Sequence, residues 1–230
     1  MNKRKIWFAD RIKMFKSLHA SDIEALEKRT EQVRFKRRHV IFMPGDPGDR
    51  IYLIKSGLVK ISKVTEEGKE LTLSFLTQGD VFGELALTDC APRSTMAEAC
   101  EDSVLSVIER DHFLPVILSK PASALAFAQL VASRRRKLED RLDSLLFKGA
   151  HARLAGLFID LAQEFGVRDS RGTIINLKLT HREMANFIGS TRETVSFALL
   201  DLKKESLIET SERRVIIVDS EGLEKLAEGR

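Results

Sequence analysis

The texture of the chain changes at Pro121, and that change restricts the fold more than any other feature. From Val33 to Ile108 short β-rich runs alternate with turn signals. Val40–Phe42 precedes Pro44-Gly45-Asp46-Pro47-Gly48, Ile51–Ile54 precedes Lys55-Ser56-Gly57, and Leu58–Val64 precedes Glu66-Glu67-Gly68. Leu71–Leu76 then leads to Gln78-Gly79-Asp80, and Ser103–Ile108 closes the series. Strands this short, punctuated by glycine, predict an all-β barrel or roll. A short helix over 17–30 is expected ahead of it, capped by Ser21 with Glu24 three residues on and packed through Leu18, Ile23 and Leu26.

After Pro121 no Gly or Pro occurs until Gly149, and the period becomes helical. One seam runs Ala124, Ala128, Val131, Arg135, Leu138, Leu142, Leu145, in alternating steps of four and three. Such a heptad seam fits a helix that pairs with a second copy, with Arg135 as a polar register residue; an ordinary core helix is the other reading. Leu125, Leu130 and Leu146 fall off the seam and are free to face the β-domain. The expected class is α+β with three parts: an N-terminal double-stranded β-roll (1–120), a dimerisation helix (121–148), and a C-terminal winged helix-turn-helix (149–230).

The third part opens with an apolar-periodic helix over 152–165, carrying Leu154, Leu157, Phe158 and Leu161, and a strand is expected over Thr173–Leu179. Leu179–Ile208 then has the marks of two helices joined by a tight turn. Thr180 and Glu183 form a capping box, Met184, Phe187 and Ile188 an apolar face, and Gly189 the turn. Thr191 caps a second helix that turns Val195, Leu199 and Leu202 inward and Arg192, Glu193, Ser196, Phe197 and Lys203 outward. An arginine fork can pair with guanine, a carboxylate can accept from the cytosine amino group, and a hydroxyl can serve base or phosphate. Thr180, Arg182 and Thr191 suit phosphates. Arg214–Val218 reads as the return strand of a wing and Ser220–Leu226 as a terminal helix.

The stretch STRETVSFALLDLKKESLI resembles the recognition helix and wing entry of the CRP/FNR-type family of dimeric transcription regulators. The order β-roll, long helix, winged helix-turn-helix resembles that family along nearly the whole chain. The resemblance implies a homodimer that reads a two-fold symmetric promoter site and works with RNA polymerase. It implies that Arg192 and Glu193 read bases as in the cyclic-AMP branch, and Glu193 and Ser196 as in the oxygen-sensing branch. Both branches next carry an arginine where this chain has Phe197, so one guanine contact is missing; Phe197 either touches a thymine methyl or is packed.

A second motif is Val81–Ala99. Gly83 admits close backbone approach, Glu84 suits a ribose hydroxyl, and Gly83–Leu87 is expected to open a short helix whose amides favour an anion. Arg93, beside Ser94, can clamp a phosphate; a Glu84–Arg93 ion pair is the other reading. The stretch resembles the phosphate-binding cassette of cyclic-nucleotide-binding domains, which implies effector contacts from Gly83, Glu84, Leu85, Ala86, Arg93, Ser94 and Thr95, the last standing where such cassettes usually carry Ala. Alignment with the cyclic-AMP branch puts Leu138 and Glu139 where a Thr-Ser pair would meet the adenine. The cassette therefore says cyclic phosphate while the helix does not say cyclic AMP. A constitutive regulator, or another effector such as haem, stays open.

Bulk charge adds little to the DNA reading. The net charge of +4 divides as +7 for residues 1–38, −2 for 39–148 and −1 for 149–230. The segment expected to bind DNA is thus acidic overall, and local placement must carry the case. No apolar run approaches the roughly 18 residues of a membrane span, and Met1–Ala9 lacks the apolar core of a signal peptide, so a cytoplasmic protein with no membrane partner is expected. Two cysteines, Cys90 and Cys100, provide neither a disulfide framework nor zinc spacing. The five histidines, His19, His39, His112, His151 and His181, are scattered, which speaks against a cupin-type metalloenzyme; no catalytic arrangement is visible.

Overall fold

The structure is a computed structural model and describes residues 13–85 and 91–229. It divides into two compact units, with the boundary between Lys137 and Leu138.

In the first unit, α1 (Ala20–Lys28) precedes eight strands: β1 (Glu31–Phe35), β2 (Val40–Phe42), β3 (Arg50–Ser56), β4 (Val59–Val64), β5 (Glu70–Leu76), β6 (Val81–Phe82), β7 (Met96–Ala99) and β8 (Ser103–Glu109). They form two four-stranded antiparallel sheets, ordered β1-β8-β3-β6 and β2-β7-β4-β5. The expected β-roll is thus present. Strand β3 explains its own sequence. Ile51 and Leu53 pack into one apolar cluster, with Phe15, Leu26, Phe113 and Ile117 outside the sheet. Tyr52 and Ile54 pack into the other, with Phe42, Val59, Phe82 and Leu105 between the sheets. A strand buried on both faces needs a continuous apolar run rather than alternation.

Two helices follow the roll, α2 (Arg110–Leu118) and α3 (Pro121–Phe147). The first half of α3 lays Ala126, Phe127 and Leu130 on the cluster outside the sheet. Leu130 therefore faces the β-domain as expected, whereas Leu125 and Leu146 are exposed, contrary to expectation. The reason for Leu125 is angular: five residues before Leu130 at 100° per residue puts it about 140° round the helix. The cap of α1 also differs. His19 is the N-cap and its amide donates to Asp22 Oδ2 at 3.1 Å, two residues before the expected Ser21 pair.

The second unit holds α4 (Ala150–Phe165), β9 (Gly166–Asp169), β10 (Gly172–Ile175), α5 (His181–Ile188), α6 (Arg192–Lys204), β11 (Ile208–Ser211), β12 (Arg214–Ile217) and α7 (Ser220–Glu228). Its sheet runs β11-β12-β10-β9. Leu154, Leu157, Phe158 and Leu161 of α4 are all buried, as their spacing requires. The strand expected over Thr173–Leu179 ends at Ile175, because β10 is one arm of a hairpin with β9.

Candidate nucleic-acid interface and anion pocket

The helix-turn-helix is built by local chemistry. Thr180 Oγ1 accepts from the Glu183 amide, while Glu183 Oε2 accepts from the Thr180 amide at 2.6 Å and its hydroxyl at 2.7 Å. Gly189 ends α5 in the left-handed region, at φ 61° and ψ 49°, which costs a side-chain-bearing residue free energy and glycine little. Thr191 then caps α6, its Oγ1 accepting from the Thr194 amide at 3.1 Å. Ala185, on the inner side of α5, is buried, as a close helix crossing requires.

Helix α6 buries Val195, Ala198, Leu199 and Leu202. Its other face presents Arg192, Glu193 and Phe197, with Ser196 half-buried between them. Among the described residues neither the Arg192 nor the Glu193 side chain has a hydrogen bond or ion pair, so the two do not neutralise each other. Phe197 is 67% exposed, which removes the packed alternative within this unit. Thr180, Arg182 and Thr191 are exposed around the entry to the two helices. Lys203 is exposed too, but in the last turn of α6, about 16 Å along the axis from Arg192. The wing is the β11–β12 hairpin, with Glu212 and Arg213 both at positive φ in a two-residue turn. Phe187 is capped by Arg141 of α3, whose guanidinium lies 4.0 Å over the ring and donates to the Phe187 carbonyl. Burial draws the Arg141 pKa down to about 10, opposed by the charge of Asp160.

The cassette holds two buried charges. Arg93 is 8% exposed, and so is Glu84. They do not pair with each other. Arg93 Nη1 donates to the Gly83 carbonyl at 3.1 Å and Nη2 to the Arg50 carbonyl at 2.5 Å. Its guanidinium stands 4.6 Å from the Phe42 ring centroid and 5.7 Å from that of Tyr52. Arg93 Nε is buried without a hydrogen-bond partner among the described residues. Burial lowers the Arg93 pKa, opposed by Tyr52 and by the charges of Asp49 and Glu84. A buried cation whose hydrogen bonds go to carbonyls and whose faces meet aromatic rings, with a donor to spare, fits an incoming phosphate.

Glu84 is instead bound by Arg134 of α3, Nη1 to Oε2 at 2.5 Å; Arg134 also donates to the Val81 carbonyl. Sequence reasoning missed Arg134, because nothing in Arg134-Arg135-Arg136 marks the first as the one that turns inward. Gly83 has φ +78°, and a Cβ there would lie 2.9 Å from Arg93 Nη1 and 3.0 Å from the Arg50 carbonyl oxygen. Leu85 and Ser94 are exposed and Thr95 is half-buried; Lys63 donates to the Ser94 carbonyl at 2.6 Å. Ala86, and most of the short helix expected after Gly83, lie outside the described residues, as does Cys90.

On α3 the seam residues Ala128, Arg135, Leu138 and Leu142 are exposed or half-buried, as are Ala124, Val131 and Leu145; none is fully buried. Glu139 is exposed beside Leu138, and Phe147 at the end of the helix is 82% exposed. No single helix among the described residues is long and apolar enough to cross a membrane. No cluster of His, Cys, Asp and Glu that could hold a metal ion is found among them.

Residues 32–120 match the cyclic nucleotide-binding domain family, and residues 152–226 the Crp-like helix-turn-helix domain family. The chain is 34% identical to a CRP-like cAMP-activated global transcriptional regulator of Mycobacterium tuberculosis, over 93% of this chain and 96% of that one. It is 33% identical to a global nitrogen regulator of Synechococcus elongatus, over 80% and 84%. The fold matches a solved CRP/FNR-family transcriptional regulator from Thermus thermophilus with a TM-score of 0.71, at 32% identity over 86% of this chain and 98% of that one. The two relatives, at near-equal identity, are named for different regulation, cAMP-activated in one and nitrogen in the other.

Proposed function

Because the chain belongs to the CRP-like family of DNA-binding transcription regulators, we propose that it acts as a homodimer gated by a cyclic nucleotide in the β-roll. The observation that carries the gating is Arg93: buried, held by carbonyls and aromatic rings, with Nε unpartnered among the described residues. Among the described residues no carboxylate hydrogen-bonds to Arg93, and a cyclic phosphate would supply that anion, through charge-assisted hydrogen bonds to the guanidinium. Glu84, with Gly83 and Leu85–Ala86 beside it, would take the ribose side, and Ser94 and Thr95 the far side of the phosphate. Leu138 and Glu139 would stand toward the base. A hydrophobic and carboxylate pair gives no hydroxyl for an adenine, so a nucleotide other than cyclic AMP is part of the proposal.

The heptad seam Val131, Arg135, Leu138, Leu142 and Leu145, in which no residue is fully buried, supports pairing of α3 with its copy. Each dimer then carries two α6 helices to one two-fold site. Half-sites should lie about one DNA turn apart, roughly 34 Å. Arg192 would read guanine and Glu193 a cytosine amino group, with Ser196 and Phe197 on neighbouring base edges. Thr180, Arg182, Thr191 and Lys203 would hold phosphates. Acting at promoters in the cytoplasm, the bound dimer would work on RNA polymerase.

The test is calorimetric titration of the full chain with cyclic AMP, cyclic GMP and cyclic di-GMP, beside Arg93→Met. Binding of cyclic GMP or cyclic di-GMP by the wild type and its loss in the variant supports the proposal. Binding of cyclic AMP alone, lost in the variant, supports the gating and overturns the exclusion of cyclic AMP. No binding of any, or binding indifferent to Arg93, overturns the gating.

A further inference from the structure

His181, the first residue of α5, lies across from Ser196 of α6, with Nδ1 and Oγ 2.7 Å apart. Ser196 Oγ also donates to the Arg192 carbonyl, four residues back, at 2.9 Å. A serine hydroxyl has one proton and two lone pairs. With that proton directed to Arg192, the short contact to His181 requires the proton on Nδ1, donated to Oγ. One lone pair of Ser196 is then left facing outward.

From this we infer that His181 is a positioning residue for base reading: it fixes the Ser196 hydroxyl as an acceptor. In that state Ser196 can take a hydrogen bond from the amino group of cytosine or adenine, and it has no proton to offer guanine O6 or N7 or thymine O4. A free hydroxyl would rotate and serve either kind of edge. Histidine thereby turns an indiscriminate group into a selective one without itself touching a base. The inference rests on the reading of α6 as the DNA-reading helix. It is separable from it, because among the described residues the Arg192 and Glu193 side chains make no hydrogen bond or ion pair with His181.

The experiment uses the full chain and the duplex that the wild type enriches from a randomised pool. Competition binding compares the four base pairs at the position where Ser196→Ala changes the preference. His181→Ala should lower the discrimination between amino-bearing and carbonyl-bearing bases there by roughly 2- to 10-fold, the range of one hydrogen bond. Other positions should be unmoved. His181→Asn should restore it, because the asparagine amide nitrogen can occupy the place of Nδ1 and donate. In Ser196→Ala, adding His181→Ala should change nothing further. If His181→Ala weakens all four duplexes equally, it is a phosphate contact and the inference is wrong. The inference also fails if His181→Ala alters nothing while Ser196→Ala does. If Ser196→Ala shifts no position, Ser196 is not a base reader, and that reading falls together with the inference.

Discussion

Gly83→Ala separates two costs that are usually measured together. At φ +78° an alanine carries the strain of the left-handed backbone, about 1–2 kcal/mol. Its Cβ also meets the Arg50 carbonyl oxygen at 3.0 Å and Arg93 Nη1 at 2.9 Å. The carbonyl belongs to β3 and cannot retreat, so Arg93 must move and give up its bond to the Gly83 carbonyl. A hydrogen bond to a charged group is worth about 1.5–3 kcal/mol. The total is roughly 2.5–5 kcal/mol. Gly68 supplies the control. It has the same φ of +78°, but a Cβ there meets nothing within 4 Å. Gly68→Ala should therefore lose only the backbone part. At roughly 3 °C per kcal/mol, thermal unfolding of the full chain followed by circular dichroism should show a drop of about 8–15 °C for Gly83→Ala and about 3–6 °C for Gly68→Ala. Equal drops would refute the claim that Arg93 is wedged against Gly83, and with it the pocket geometry.

Other outcomes follow from the same structure. Thr180→Ala should cost about 1 kcal/mol by breaking the capping box, read as a lower melting temperature, with Thr180→Ser recovering most of it. Arg192→Ala should weaken binding to the selected duplex by roughly 1–3 kcal/mol and relax one base position, measured by competition with single-base variants. Lys60→Met should destabilise the β-roll by roughly 2–4 kcal/mol, since Lys60 is 5% exposed and bridges Glu70 at 2.7 Å and Glu98 at 3.1 Å. Burial pulls the Lys60 pKa down, but the hydrogen bond and charge of Glu70, with Glu98, raise it above 10.5. A raised pKa stabilises fully below the unfolded value and is lost as pH rises through the folded one, so the wild type should lose stability above about pH 10.5 more steeply than Lys60→Met.

Much of this was readable in the residues. The capping box at Thr180, the left-handed turn at Gly189 and the cap at Thr191 are local devices whose partners lie within four positions, and each sits where its sequence signal placed it. Five of the eight roll strands announced themselves by β-branched runs between glycines. The other three did not: β6 has two residues, β1 opens on the polar pair Glu31-Gln32 with no glycine beside it, and β7 is Met96-Ala97-Glu98-Ala99. Those last residues favour a helix, yet pairing with both β2 and β4 makes them a strand, so tertiary partners outweigh propensity. Helix α2 was hidden by Pro115, whose missing N–H a nine-residue helix tolerates. Arg134 and the His181–Ser196 pair were invisible for a common reason: each joins residues 15 or more positions apart through side-chain directions that spacing alone does not give.

The most direct test of the central claim is selection of duplexes from a randomised pool by the full chain, followed by the same selection with Arg192→Ala. The wild type should enrich a two-fold symmetric sequence whose half-sites are centred about one helical turn apart, and Arg192→Ala should blur the same position in both halves. Enrichment of a single unpaired half-site, or of a sequence that Arg192→Ala leaves sharp at every position, would contradict a dimer reading DNA through α6.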